Sequence, residues 1–362
     1  MSCYALYRLP FAQYYTEIAQ NDTEIEQFTS CTELNGCQGF VVAPFQVTTE
    51  RPILLIRADR ITEHPTEPTD KLRARLIETA SHRSDYAADF ADFHAQLQTG
   101  IFRKIVLARR ATLRMSEACD PRQLFLLACQ RYPRMFIALV MLPDGDCWLT
   151  ATPEILLEGN GTEWRTIALA GTMQLQGNEL AFDAPPSSKN TVDLRWSTKN
   201  IQEQRYVATY IANTLERFAP GFHEDGPRTV RAANLVHLRS DFTFSLADSS
   251  HLGDLLDALH PTPAVCGLPK QETFQFITTH EHASRQYYSG FMGPLNLPCS
   301  PQEKNSSTHL YVSLRCMQMQ QSQCFCHLYA GGGLLKDSVE EQEWQETEAK
   351  MQTMRNLLVT IP

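Results

Sequence analysis

Three prolines within nine residues, in His260-Pro-Thr-Pro-Ala-Val-Cys-Gly-Leu-Pro-Lys270, constrain this chain more than any other stretch. Proline fixes φ and removes a backbone donor, so the segment reads as a rigid turn and not as the middle of a regular element. Gly267 lets the main chain bend or come close to another group. A stiff turn of small residues suits a pocket wall, and a surface loop without duty fits the same residues as well.

At 362 residues the chain has room for two or three domains or for one large α+β unit. A hydrophobic content of 43% with 20% charged residues is that of a soluble globular protein, with core enough to need no disulfide or metal for stability. The net charge of −9 argues against a nucleic-acid surface, which needs a basic footprint. A small anionic substrate requires only a few local cations. The eleven cysteines have neither a CxxC pair nor zinc spacing, and reduced thiols fit a cytoplasmic protein. Cys324 and Cys326 alternate along an expected strand and so share a face. The N-terminus lacks the charged and apolar regions of a signal peptide, and no run approaches the roughly 20 apolar residues of a membrane span. Neither nucleic acid nor membrane is expected as a partner, and a monomer is preferred over a homodimer.

Strands are expected at Phe40–Val47 and Ile53–Arg57. Tyr86, Phe90, Phe93 and Leu97 fall at helical spacing, with Ser84 as cap and Gly100 as the left-handed end. Phe102–Arg110 reads as a strand carrying Lys104, whose plain reading is a snorkelling cation. Asp120 and Pro121 open a helix to about Tyr132, followed by a hairpin around Pro143-Asp-Gly-Asp146. Glu154 follows a proline at a strand junction, where burial would raise its pKa and suit it to act as an acid. A returning strand ends in Leu169-Ala-Gly171-Thr172, and a polar loop covers 173–192. A long helix from about Asp193 to Phe218 carries Ile201, Val207, Ile211 and Leu215 on one stripe, with Glu203 pointing elsewhere. His237 lies in a short apolar strand, where a satisfied core histidine is the default.

Further on, Glu281, Arg285 and Tyr288 are spaced to share a helix face. His309–Met317, carrying Arg315, and Cys324–Ala330 form a hairpin with its tip near Gln320. Tyr329-Ala-Gly-Gly-Gly333 exposes amides that can approach an anion. In the last helix, Val339 to Leu358, Glu343, Glu346 and Lys350 line one face, where a solvated row of ion pairs is the plain reading. No GxSxG, P-loop, dinucleotide fingerprint or HExxH is present. Carboxylates on two helices remain, and oxygen-only ligands suit Mg²⁺.

Five separated blocks resemble the chorismate-utilising enzymes, the family of isochorismate, anthranilate, aminodeoxychorismate and salicylate synthases. They are Lys104-Ile-Val-Leu-Ala-Arg109; Thr152-Pro-Glu154 with Leu169-Ala-Gly-Thr172; His260 to Pro269; Glu281 to Gly293; and Leu328-Tyr-Ala-Gly-Gly-Gly333 with Glu343-Trp-Gln-Glu-Thr-Glu-Ala-Lys350. They run in the family's order from about residue 85 to the end, and are most similar to those of isochorismate synthases. The resemblance implies one large α+β domain of two packed, mainly antiparallel β-sheets with helices outside. Residues 1–84 would be its strand-rich N-terminal part and 85–362 its chorismate-binding catalytic core.

The resemblance also implies roles. Lys104 would be the base that activates water for attack at C2 of chorismate, and Glu154 the acid for the departing C4 hydroxyl. Glu203, Glu346 and Glu343, the last directly or through water, would hold Mg²⁺. Arg315, Lys350 and the amides around Ala330, Gly331, Gly332 and Gly333 would take a substrate carboxylate. Gly171 and Thr172 would line the ring, with His237 as a polar pocket residue. Two departures stand out: Lys199-Asn-Ile-Gln-Glu203-Gln lacks the family's acidic and His neighbours, and Cys266 replaces a Ser, Gly or Ala. Ala264 stands where ammonia-using relatives and salicylate synthases carry Thr, which favours water as nucleophile. The product would feed menaquinone or siderophore biosynthesis. The alternatives are another chorismate enzyme (a salicylate, anthranilate or aminodeoxychorismate synthase) and a non-catalytic chorismate-binding protein.

Overall fold

Runs of branched and aromatic residues, punctuated by turn residues, pair into two large antiparallel sheets among the described residues, with Leu76–Ala80 and Leu297–Pro298 joining them off the main strand order. The computed structural model describes residues 3–67, 69, 74–175, 194–232, 235–248, 250–298, 305–320 and 322–358. The polar loop expected at 173–192 lies almost wholly outside them. The first sheet runs from Gly267–Leu268 through Lys104–Met115, Phe325–Leu334, Cys316–Gln320, Asp146–Thr152 and Phe136–Met141 to Tyr4–Arg8, Tyr14–Ala19 and Arg60–Pro65. The second runs from His223–Ala232 through Leu235–Ser245, Glu163–Gln174, Ile155–Asn160, Ser306–Val312 and Phe291–Leu295 to Gly39–Ala43, Ile53–Ile56 and Glu26–Phe28. Strands from before residue 80 thus enter both sheets.

Alternation of side chains along the strands builds the layers. In Phe136–Met141, Phe136, Ala138 and Val140 pack between the sheets with Tyr7, Trp148, Phe40 and Tyr311. Ile137, Leu139 and Met141 face the other way, onto the helices Pro121–Arg131 and Glu340–Leu358. The rings of Phe136 and Tyr311 stack across the seam at 4.3 Å. The helices Thr198–Phe218 and Leu252–Leu259 cover the outer face of the second sheet. The architecture is therefore α+β, with helices outside two packed sheets.

Local chemistry accounts for most helix ends. Asp120 accepts from the Arg122 amide at 3.0 Å with Pro121 at the first helical position, as expected. The helix Arg83–Gln98 buries Tyr86, Phe90, Phe93 and Leu97, and Gly100 takes φ +79° beyond its end. Its N-cap position is His82, and Ser84 lies inside the first turn bonded to Asp85. The long helix starts at Thr198, capped by Ser197; Asp193, its expected start, lies outside the described residues. Val207, Ile211 and Leu215 are buried, but Ile201 is 46% exposed, because six residues at 100° each carry it off the stripe.

Three expectations fail in instructive ways. Helix Lys270–His280 stops before Arg285, since the buried carboxylate of Asp89 takes the His282 amide at 3.1 Å. His309–Met317 is not one strand: Ser306–Val312 belongs to the second sheet and Cys316–Gln320 to the first. The hairpin with Phe325–Leu334 holds, but Cys324 precedes its strand and is exposed while Cys326 is buried. Finally, the rigid turn ends in a short strand, with Leu268 opposite Lys104 and Gly267 opposite Ile105.

Candidate active site

The chain crosses between the sheets at Pro153-Glu154 and again at Ser313–Arg315, and these two crossings lie against each other. The Val312 amide donates to the Glu154 carbonyl at 3.0 Å, and the Ala151 amide to the Arg315 carbonyl at 3.3 Å. Thr150 Oγ1 donates to the Leu314 carbonyl at 2.7 Å. Arg315 turns the corner at φ +45°. Regular pairing ends at both crossings, which opens a cleft in the seam. It is lined by Glu154, Gly171, Thr172, Glu203, His237, Ala264, Arg315, Ala330, Gly331, Gly333 and Lys350 among others.

The glycines have defined tasks. A bulge between Ala170 and Thr172 leaves Gly171 at φ +69°, and its carbonyl takes the Nδ1 proton of His237 at 3.1 Å. Strand Phe325–Leu334 pairs along one edge with Lys104–Met115, but on its other edge the pairing with Cys316–Gln320 reaches only Tyr329. From Ala330 onward that edge has no strand partner among the described residues. A Cβ at Gly333 would collide with Oε1 of Glu203 and lie 2.9 Å from Cε of Lys104. One at Gly332 would lie 3.3 Å from Oε2 of Glu343 and 3.8 Å from Oε1 of Glu346.

Electrostatics separate the carboxyl groups. Burial pushes Glu154 up to about 7, against the pull of Arg315, Lys104 and Lys350. Burial also opposes ionisation of Glu203, but Lys104, Lys199 and Lys350 outweigh it and hold the group below the usual range. Burial and the charge of Glu346 raise Glu343, against Lys199. His237 is pushed well below its ordinary value by burial and by Arg315 and Lys350. It is therefore neutral, with Nε2 accepting from Arg315 Nη2 at 2.8 Å.

Lys104 is fully buried behind the cleft lining, with Nζ 3.1 Å from Oε1 of Glu203. Lys350 donates to the Gly331 carbonyl at 2.8 Å and to Glu346 at 2.7 Å, and Lys199 is bonded to Glu343. All the site residues expected from sequence thus gather at one seam, with Lys104, Gly332, Glu343 and Glu346 just behind its surface. As they stand, no three acidic, imidazole or thiol groups among the described residues are close enough to share a metal ion. The chemistry still fits Mg²⁺: the donors are oxygens, the glycine strand leaves room beside them, and Glu343 Oε2 is buried without a partner.

Sequence reasoning missed Lys199 as a site residue, although it lies one helical turn before Glu203. It also missed Val106, Leu314 and Val265, which line the cleft beside Lys104, Arg315 and Ala264. Cys266 is fully buried and its thiol is raised by burial, so it packs and does not react. A wider groove lies around Glu158, Arg165 and His309, where Glu158 is bonded to both Arg165 and His309.

The pattern of a family described as chorismate binding enzyme matches residues 46–359. A salicylate biosynthesis isochorismate synthase of Pseudomonas aeruginosa is 30% identical over 295 residues, covering 78% of this chain and 56% of that protein. The chain thus spans little more than half the length of that relative. Among solved structures, the menaquinone-specific isochorismate synthase of Escherichia coli superposes with a TM-score of 0.78 at 21% identity, covering 99% of this chain and 89% of the other. Anthranilate synthase component I of Streptococcus pneumoniae gives 0.71 at 15% identity, covering 95% and 92%. At these identities the superpositions establish the fold.

Proposed function

The chain belongs to the chorismate-binding enzymes, and on that premise we propose that it is an isochorismate synthase, an Mg²⁺-dependent hydroxymutase acting on chorismate. One observation carries the reading. Glu154, a carboxyl kept protonatable near neutral pH, lines one cleft with Arg315 and Lys350 and feels the charge of Lys104, which is buried behind the lining. A binding protein would need neither an acid nor a base.

Lys104, as base, takes a proton from water, whose oxygen bonds to ring C2. The ring electrons shift, the C4–O bond breaks, and Glu154 gives its proton to the departing hydroxyl. One water enters and one leaves, so the sum is an isomerisation. The proton gained by Lys104 and lost by Glu154 is exchanged with solvent before the next turnover. Arg315 and Lys350 take a carboxylate of the substrate, Arg315 being held in place through neutral His237. Thr172 and Gly171 lie against the ring, and Ala264 leaves the wall small. Glu203, Glu343 and Glu346 would hold Mg²⁺, which when bound fixes the ring carboxylate and draws electron density from the ring.

No helix among the described residues is long and apolar enough to cross a membrane. With its free thiols, the enzyme fits a cytoplasmic step toward menaquinone or a siderophore. The decisive experiment gives purified protein chorismate and Mg²⁺, with and without ammonium, and resolves the products by chromatography. Isochorismate alone is expected, and chelation of Mg²⁺ should stop it. Anthranilate or aminodeoxychorismate would move the protein to the aminating branch, and salicylate with pyruvate to the lyase branch.

A further inference from the structure

Each of the three metal-site glutamates has a lysine against it: Lys104 on Glu203, Lys199 on Glu343 and Lys350 on Glu346. The lysines differ in what else they do. Lys104 is sealed from solvent, and Lys350 also holds the Gly331 carbonyl. Lys199 sits in the first turn of its helix with its side chain 26% exposed, and Glu343 is its hydrogen-bond partner among the described residues. Glu343 is 1% exposed, and its second oxygen is buried without a partner.

A carboxylate so buried is costly to leave uncompensated. Lysine is suited to compensate it reversibly, being a compact charge on a flexible four-carbon stem. An ammonium and a divalent ion on one carboxylate repel each other, so each weakens the other's hold. Of the three lysines, Lys199 is the one that can withdraw into water without releasing anything but Glu343.

We propose that Lys199 is the resident counter-cation of the metal site, neutralising Glu343 while no divalent ion is bound and swinging out when one enters. Metal binding is then an exchange of cations, and the metal-free protein stays folded at the expense of metal affinity. The proposal rests on the assignment of these glutamates to a divalent ion and does not depend on the reaction the site performs.

The test compares wild type, Lys199→Met and Lys199→Arg in calorimetric titration with Mg²⁺ in the absence of chorismate, and in thermal unfolding with and without Mg²⁺. Lys199→Met keeps the stem and loses the charge. It should bind Mg²⁺ roughly tenfold tighter, unfold at a lower temperature without metal, and recover with metal. Lys199→Arg should bind as weakly as wild type. Equal or weaker binding by Lys199→Met overturns the proposal. If Lys199→Met folds only with Mg²⁺ present, that supports it. If it folds in neither condition, Lys199→Gln is titrated against the same criterion. Absence of Mg²⁺ binding in wild type and variants alike overturns both the exchange and the metal assignment. Isochorismate formation by the wild type, measured separately, tests the reaction and leaves the exchange untouched.

Discussion

The Nζ of Lys104 lies 3.1 Å from Oε1 of Glu203, and Gly333 is the residue that leaves room for this pair. A methyl group at Gly333 would displace the ends of the Glu203 and Lys104 side chains and so break this pair. Gly333→Ala should therefore lose activity by a factor of roughly 10² or more, in the range that general acid–base groups contribute. Steady-state assays with chorismate check this, and wild-type activity would show that the pair can rearrange. Lys104→Ala should also abolish turnover. It should retain the fold with stability reduced by roughly 3–5 kcal/mol, because Glu203 loses its direct partner.

Glu154 gives a pH dependence with a definite sign. Its folded-state pKa is raised from 4.5 to about 7, so the folded protein keeps a proton that the unfolded chain gives up. The stability this contributes is present below pH 4.5 and lost as pH rises through about 7, a change on the order of 3 kcal/mol at about 1.4 kcal/mol per unit. Denaturant titrations between these limits should show that slope in wild type and a flatter one in Glu154→Gln. In the acid role proposed for it Glu154 must be protonated, so kcat/KM should fall above a pH of about 7 and be abolished in Glu154→Gln. An activity that stays level from pH 7 to 9 would remove Glu154 from the role.

The bond between Arg315 Nη2 and His237 Nε2 predicts a different kinetic signature. His237→Phe fills the space but leaves the guanidinium short of one acceptor and free to turn. A hydrogen bond to a charged group is worth about 1.5–3 kcal/mol, so KM for chorismate should rise roughly 10- to 100-fold, more than kcat falls. A mutation that lowered kcat alone would mean that His237 acts in the chemistry.

The buried pair Arg285 and Glu281 fixes the rigid turn to the lysine strand. Arg285 donates to the Val265 and Val106 carbonyls at 2.7 Å and to Glu281, which in turn takes the Ala108 amide at 2.7 Å. Arg285→Met should cost about 3–5 kcal/mol in chemical denaturation, since Glu281 is left buried and unpaired. Replacing both partners by apolar residues should recover part of the loss, and failure to recover any would place the cost in the lost backbone contacts.

Residue types and local order determined much of this protein. Alternation along Phe136–Met141, the Asp120–Pro121 helix start, the left-handed glycines and the stiff turn at 260–269 follow from side-chain sterics and backbone hydrogen bonding within a few residues. The site residues were legible only through the resemblance of five separated blocks to a known family, since taken alone Lys104, His237 and the Glu343–Lys350 face read as ordinary structural residues. Tertiary structure alone decided that Glu154 and Arg315 face one cleft, since both lie where the chain leaves one sheet for the other. No local pattern marks that crossing, and it made one strand of His309–Met317 into two. Only burial in the seam gives Glu154 its raised pKa, and only the approach of two distant helices gives Lys199 a carboxylate to neutralise. Charges act through space and solvent exclusion, and neither is written in the neighbours along the chain.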